Sequence, residues 1–187
     1  MWPTALLLSL LGAVSSPGPA PATGSVHGIV VDSAPGWLRQ EMTQLTQGSG
    51  RWMVGNEPFR SENEPWDHYG MEWSWGLGRL SVKGRLYAIK DGKEVGTLWE
   101  YRLFWHPGDR KATVEQFGAD GSFGSGYLTP AENGATSLDQ TVHSPDGTSF
   151  RVGHHARFDG GVRLIQSLRW IGGKWEKQRD YAWRRAP

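Results

Sequence analysis

Glu57, Glu62, Glu64, Asp67 and Glu72 crowd into sixteen residues, with His68 among them. Carboxylates beside an imidazole are groups that move protons, and clustered carboxylate oxygens also hold cations. The spacing follows no catalytic or metal-binding pattern, however, and Pro58 and Pro65 break the same stretch. The cluster reads first as the polar skin of a long loop, and second as a source of acid–base groups for a small-molecule isomerase, hydratase or hydrolase. His154 alternates with Phe150, Val152, Ala156 and Phe158, which puts an imidazole on an apolar strand face. A histidine there is either a buried residue with a partner or an axial ligand for haem iron. Glu100 and Arg102 share one face of a strand and would orient a polar ligand head if that face points inward. Gly124-Ser125-Gly126 is a glycine-flanked serine, but a strand–turn–strand setting lacks the strand-to-helix elbow that activates such a nucleophile. No His-Glu-x-x-His or paired-histidine spacing occurs, so neither a metal nor a catalytic residue is assigned.

The elements that must position these groups are strands. From Tyr69 to Trp183, aromatic and β-branched runs alternate with Lys90-Asp91-Gly92-Lys93, Pro107-Gly108-Asp109, Asp120-Gly121, Pro145-Asp146-Gly147, Asp159-Gly160-Gly161 and Gly172-Gly173. Asp-Gly and Gly-Gly supply the positive φ of tight hairpins. The spacing predicts strands near 51–55, 69–76, 79–89, 94–105, 111–117, 123–129, 137–143, 148–158, 161–171 and 174–184, an up-and-down antiparallel sheet. A sheet this long removes its exposed edges by closing into a barrel. The expected fold is therefore an all-β barrel of about ten strands with one short N-terminal helix. That helix spans 37–47, with Trp37, Leu38, Met42 and Leu45 on one face and Gln40, Glu41, Thr43 and Gln44 on the other. Residues 56–67 are the least regular stretch and the candidate lid.

Side-chain parity selects wall residues. Trp73 and Trp75 share a face, as do Trp99, Tyr101, Leu103 and Trp105; Trp175, Tyr181 and Trp183 share another with Lys177 and Arg179. The chain holds 11 Trp and 26 Gly, a composition suited to cavity walls and tight turns. Net charge is +1 without a basic stripe, which argues against a nucleic-acid partner.

Ala5 to Val14 is apolar but too short to span a bilayer, and Ala20-Pro21-Ala22 resembles a signal-peptidase site. The expectation is a signal peptide over 1–22 cleaved after Ala22, an extended lead-in over 23–36, and a barrel domain over 37–187. The protein would be periplasmic or secreted. The absence of cysteine excludes disulfides, thiolate metal sites and a lipid-anchored N-terminal cysteine.

Gly50-Arg51-Trp52 after a short helix, with Arg184-Arg185 ending the chain's last strand, resembles the calycin superfamily of lipocalins and their relatives. More narrowly, Tyr69-Gly70-Met71-Glu72-Trp73-Ser74-Trp75-Gly76 with Trp105-His106-Pro107-Gly108 is similar to bacterial lipocalin-like families of the DUF1579 type. The resemblance implies that Arg184 or Arg185 packs over Trp52 and closes the barrel floor. It also implies a central cavity for a small hydrophobic or amphipathic molecule. The expected site then has Trp73, Trp75, Trp99 and Tyr101 as walls, and Glu72, Glu100, Arg102 and His154 as polar anchors. No cofactor is expected in this reading, haem through His154 being the alternative. The oligomer would be a monomer or homodimer.

Overall fold

The computed structural model describes residues 34–186, so the expected signal peptide and most of the lead-in lie outside the described residues. One helix, α1 (Gly36–Thr46), precedes ten strands: β1 (Arg51–Gly55), β2 (His68–Trp75), β3 (Ser81–Lys90), β4 (Lys93–His106), β5 (Lys111–Gly118), β6 (Phe123–Pro130), β7 (Thr136–His143), β8 (Ser149–Asp159), β9 (Val162–Ile171) and β10 (Lys174–Arg185). Each strand pairs antiparallel with its sequence neighbour, and β1 pairs with β10 to close the barrel. The up-and-down barrel is thus the fold expected from the hairpin rhythm, with the long strands starting and ending within two residues of the expected positions. This closed antiparallel barrel with a single helix is consistent with a calycin-like fold. No helix among the described residues is long and apolar enough to cross a membrane.

The two ends of the barrel differ. At one end, α1 lies across the opening and buries Leu38, Met42 and Leu45 beneath Trp52, Trp183 and Phe158. The buried stripe also includes Glu41, which corrects its placement on the polar face of the helix. The spacing 38, 41, 42, 45 is a regular helical face, and Glu41 is accommodated there because Arg163 meets it from β9.

Gly50 joins the helix to β1 and has two reasons to be glycine. Its φ is +68°, in the left-handed region, and a β-carbon would lie 2.1 Å from the carbonyl oxygen of Trp73. Its own carbonyl accepts the Trp73 amide at 2.9 Å. Trp52 follows, 1% exposed, and donates its indole N–H to the Leu45 carbonyl at 2.9 Å. Arg185, opposite Trp52 in register, lays its guanidinium 4.6 Å from the indole centre and donates to the Gln47 carbonyl oxygen and Oε1. One side chain therefore ties the last strand, the first strand and the helix end together. Arg184, the other candidate for that role, is exposed opposite Met53.

The other end is the mouth, framed by residues 56–67 and the β3–β4, β5–β6, β7–β8 and β9–β10 turns. The 56–67 segment is anchored rather than loose. Asn56 is buried and donates its side-chain amide towards the Glu64 and Trp66 carbonyls. Glu64 accepts both guanidinium nitrogens of Arg179 at 2.7 and 2.9 Å and the Tyr69 hydroxyl at 2.9 Å. Phe59 sits under the same guanidinium at 4.6 Å and against Tyr181.

Three register shifts interrupt the sheet, one of them near the β3–β4 turn where Ala88 meets Gly96 and Ile89 meets Glu94, and the other two reset the faces that line the interior. In β10 the pairing skips between Lys177 and Asp180, so Trp175 and Lys177 face outward while Arg179, Tyr181 and Trp183 face the lumen. The single face expected for all five residues is therefore split. In β4 the shift at Leu98 turns both Leu98 and Trp99 toward the mouth.

Candidate functional site

Four residues on the inward parity of β2 and β4 form one side of the lumen wall. Trp73 of β2 and Tyr101 of β4 lie 5.6 Å apart between ring centres. Between them runs β3, whose Gly84 is paired with both. A β-carbon at Gly84 would fall 2.5 Å from the Trp73 ring, so only glycine lets the indole lie across that strand. Trp75 is half-buried at the closed end, with the Arg79 guanidinium 4.7 Å over its ring. Trp99 stands at the mouth.

The space inside the barrel has two parts. The mouth pocket, about 730 Å³, is lined by Trp66, Tyr69, Leu86, Leu98, Trp99 and Trp183 and rimmed by Glu64, Asp120 and Arg179. Below it a chamber of about 130 Å³ reaches down to Glu41 and Leu45 of α1. Met71, Tyr101 and Ile165 line both spaces and form their common wall.

The chamber is apolar in shape and polar at chosen points. Leu103, Val114, Leu128 and Leu138 supply part of its aliphatic wall. Glu41 and Arg163 face each other across it, 2.8 Å apart, with side chains 6% and 7% exposed. Burial pushes the Arg163 guanidinium below its ordinary value; the charge of Glu41 opposes that shift. A guanidinium remains protonated under such a shift, so the pair is a buried ion pair. Gln116 donates to Gln140 at 2.6 Å. His154 also lines the chamber, and burial pushes its imidazole down to about 3, with the positive charge of Arg163 and then His155 adding to the shift. At neutral pH it is uncharged.

Three polar atoms on this wall make no hydrogen bond within the protein: Trp73 Nε1, Arg163 Nε and His154 Nε2. A buried polar group without a partner costs about 1–3 kcal/mol, so such groups are rare unless something else satisfies them. Others occur elsewhere in the barrel, Trp105 Nε1 and Trp183 Nε1 among them, but these three belong to residues that line one small chamber.

The remaining anchors expected from the sequence lie elsewhere. Glu72, Glu100 and Arg102 face outward, on the parity opposite Trp73 and Tyr101, and line a shallow external depression. Glu72 pairs there with Arg85, which also holds Glu94. The placement of all three as lumen anchors is corrected: the aromatic face took the core, and the charged face went to water. The acidic loop residues also part company. Glu64 is held by Arg179 and Tyr69, while Asp67 pairs with Arg60 at 3.2 Å and caps the Asp91 amide. No carboxylate converges with His68, which sits on the outward parity of β2 opposite Ile89. Among the described residues no group of three or more His, Asp or Glu side chains is placed to hold a metal ion. His154 itself lines the chamber of about 130 Å³ beneath the mouth pocket.

Sequence reasoning missed Glu41, Arg163, Gln116 and Gln140. Arg163 stands in Val162-Arg163-Leu164-Ile165, where alternation alone places it on the face of Ile165, and that parity was the available signal. No protein-family model, curated protein or solved structure matches this chain.

Proposed function

We propose that the protein is an exported binding protein that holds one small hydrophobic or amphipathic molecule in its barrel. The observation that carries this reading is the stacked interior: an aromatic mouth of about 730 Å³ sharing its floor with a buried chamber that contains unsatisfied polar atoms. A barrel that existed only to be stable would fill such a chamber with side chains, since each cavity weakens the core. Largely apolar walls with a few convergent polar groups are the usual make-up of a small-molecule site. Trp73, Trp99 and Tyr101 serve as walls and His154 as a polar contact; Trp75 lies lower, against the helix end of the barrel. The narrower likeness to bacterial lipocalin-like families, and the leader pattern ending at Ala22, agree with an exported carrier. Carboxylates already held by Arg179, Tyr69, Arg60 and Arg85 give no support to acid–base catalysis at the mouth.

Native mass spectrometry of the protein purified gently from the cells that make it tests this reading. A single small molecule bound per chain, released on unfolding, is the expected result. A mass equal to the bare chain, with no release from any preparation, counts against a tight carrier.

A further inference from the structure

We infer, building on the binding reading above, that the ligand enters head first and that its head is an uncharged oxygen acceptor, a carbonyl or hydroxyl, rather than a carboxylate or an ammonium. The charge of the chamber argues for this. Glu41 and Arg163 are its two charged side chains, and they neutralise each other at 2.8 Å. A buried carboxylate head would be a second anion beside Glu41 with no free cation to meet it. An ammonium head would meet Arg163 in the same way. Either would carry the full cost of an unpaired buried charge.

The unused valences argue for the same head. Indole Nε1 and guanidinium Nε can only donate, whereas a neutral imidazole Nε2 donates or accepts according to its tautomer. Trp73 and Arg163 thus offer two donors with no acceptor in the protein, and His154 can match either a carbonyl or a hydroxyl. A ligand oxygen supplies the acceptor these donors lack without bringing a charge of its own.

Size sets the direction of insertion. A volume of about 130 Å³ equals roughly four water molecules' share of the liquid, enough for a head of a few atoms and too small for a whole ligand. The tail must then lie above, between Trp66, Leu86, Leu98 and Trp99. The opposite orientation would leave the head near Arg179, whose guanidinium is already held by Glu64.

Three ten-carbon probes of matched length test the inference on the full barrel: 2-decanone, decanoate and decylammonium. Each competes at neutral pH against the uncharged fluorophore N-phenyl-1-naphthylamine. 2-Decanone should bind at least about tenfold more tightly than either charged probe, the factor expected when one side must bury an unmatched charge. Trp73→Phe, which deletes the donor and keeps a ring, should weaken 2-decanone several-fold and leave decanoate unchanged. Decanoate binding as tightly as 2-decanone, or weakening in Arg179→Gln, places the head at the mouth and overturns the inference while the binding reading stands. Equal affinities for all three, insensitive to Trp73→Phe, mean that the chamber atoms are satisfied by water and overturn it as well. Failure of the fluorophore itself to bind removes the binding reading and the inference together. Should Trp73→Phe fail to fold, the ranking of the three probes on the wild-type barrel decides.

Discussion

His154 gives the barrel a pH dependence that can be assigned to one residue. Its folded value lies near 3, against 6.5 in an unfolded chain. Between these values the unfolded state binds the proton and the folded state does not, so stability is complete above pH 6.5 and declines as the pH falls. The deficit reaches about 2 kcal/mol near pH 5, at 1.36 kcal/mol for each pH unit below the unfolded value. Urea unfolding of wild type and His154→Phe across this range should show that slope in the wild type and a flatter one in the variant. Glu41 and Arg163 make a second single-residue case. Removing one partner of a buried pair strands the other, so Glu41→Gln should cost about 3–5 kcal/mol, while Glu41→Leu with Arg163→Met should cost much less than the two single changes together. The sequence exposes these residues unequally. Trp73, Trp99, Tyr101 and His154 were legible because aromatic and apolar neighbours two positions away mark the lumen face. Glu100 and Arg102 misled because a charged pair opposite an aromatic face has no reason to turn inward once that face has filled the core. Glu41 was illegible because its burial depends on Arg163, 122 residues later in the chain.

At the scale of elements, the 56–67 segment is a cover with a latch. Arg179 hydrogen bonds, above all, hold the Glu64 carboxyl below its ordinary value of 4.5, with the Tyr69 hydroxyl adding and burial opposing. The stability this contributes is therefore present above the ordinary carboxylate range and is lost as the pH falls below it. Glu64→Gln should lower stability by roughly 1 kcal/mol, since the pair is about a third exposed and solvent screens it. The same change should speed release of a bound fluorophore at neutral pH, measured by stopped flow; unchanged release would mean that the segment does not cover the path. The strands themselves were legible almost to the residue, because Asp-Gly and Gly-Gly punctuate them so regularly. The bulges at Leu98 and between Lys177 and Asp180 were not. A bulge adds one residue without changing composition, and so the sequence pattern placed Trp175 with Tyr181 when they belong to opposite faces.

For the whole molecule, closure depends on a small group of residues where β10 meets β1. Only two residue pairs define that seam in register, Trp52 with Arg185 and Met53 with Arg184, so side-chain contacts must reinforce it. Arg185→Ala deletes the stacking on Trp52 and both hydrogen bonds to Gln47 and should cost about 1–2 kcal/mol. Arg184→Ala, on the exposed position, should stay within about 0.5 kcal/mol of wild type. Thermal unfolding of the two variants side by side checks this difference. The Gly-x-Trp triplet and terminal arginines made this closure visible in the sequence. The division of the interior into mouth and chamber was not visible, because it arises from Met71, Tyr101 and Ile165, which meet only in the closed barrel.

The most direct test of the central claim is a titration of the barrel with N-phenyl-1-naphthylamine, repeated on Ile165→Trp, which fills the common wall of mouth and chamber. A saturable isotherm with one probe per chain in the wild type, lost in an Ile165→Trp protein with native circular dichroism, is the predicted result. Non-saturating binding, or an isotherm that Ile165→Trp leaves intact, would contradict a ligand held inside the barrel.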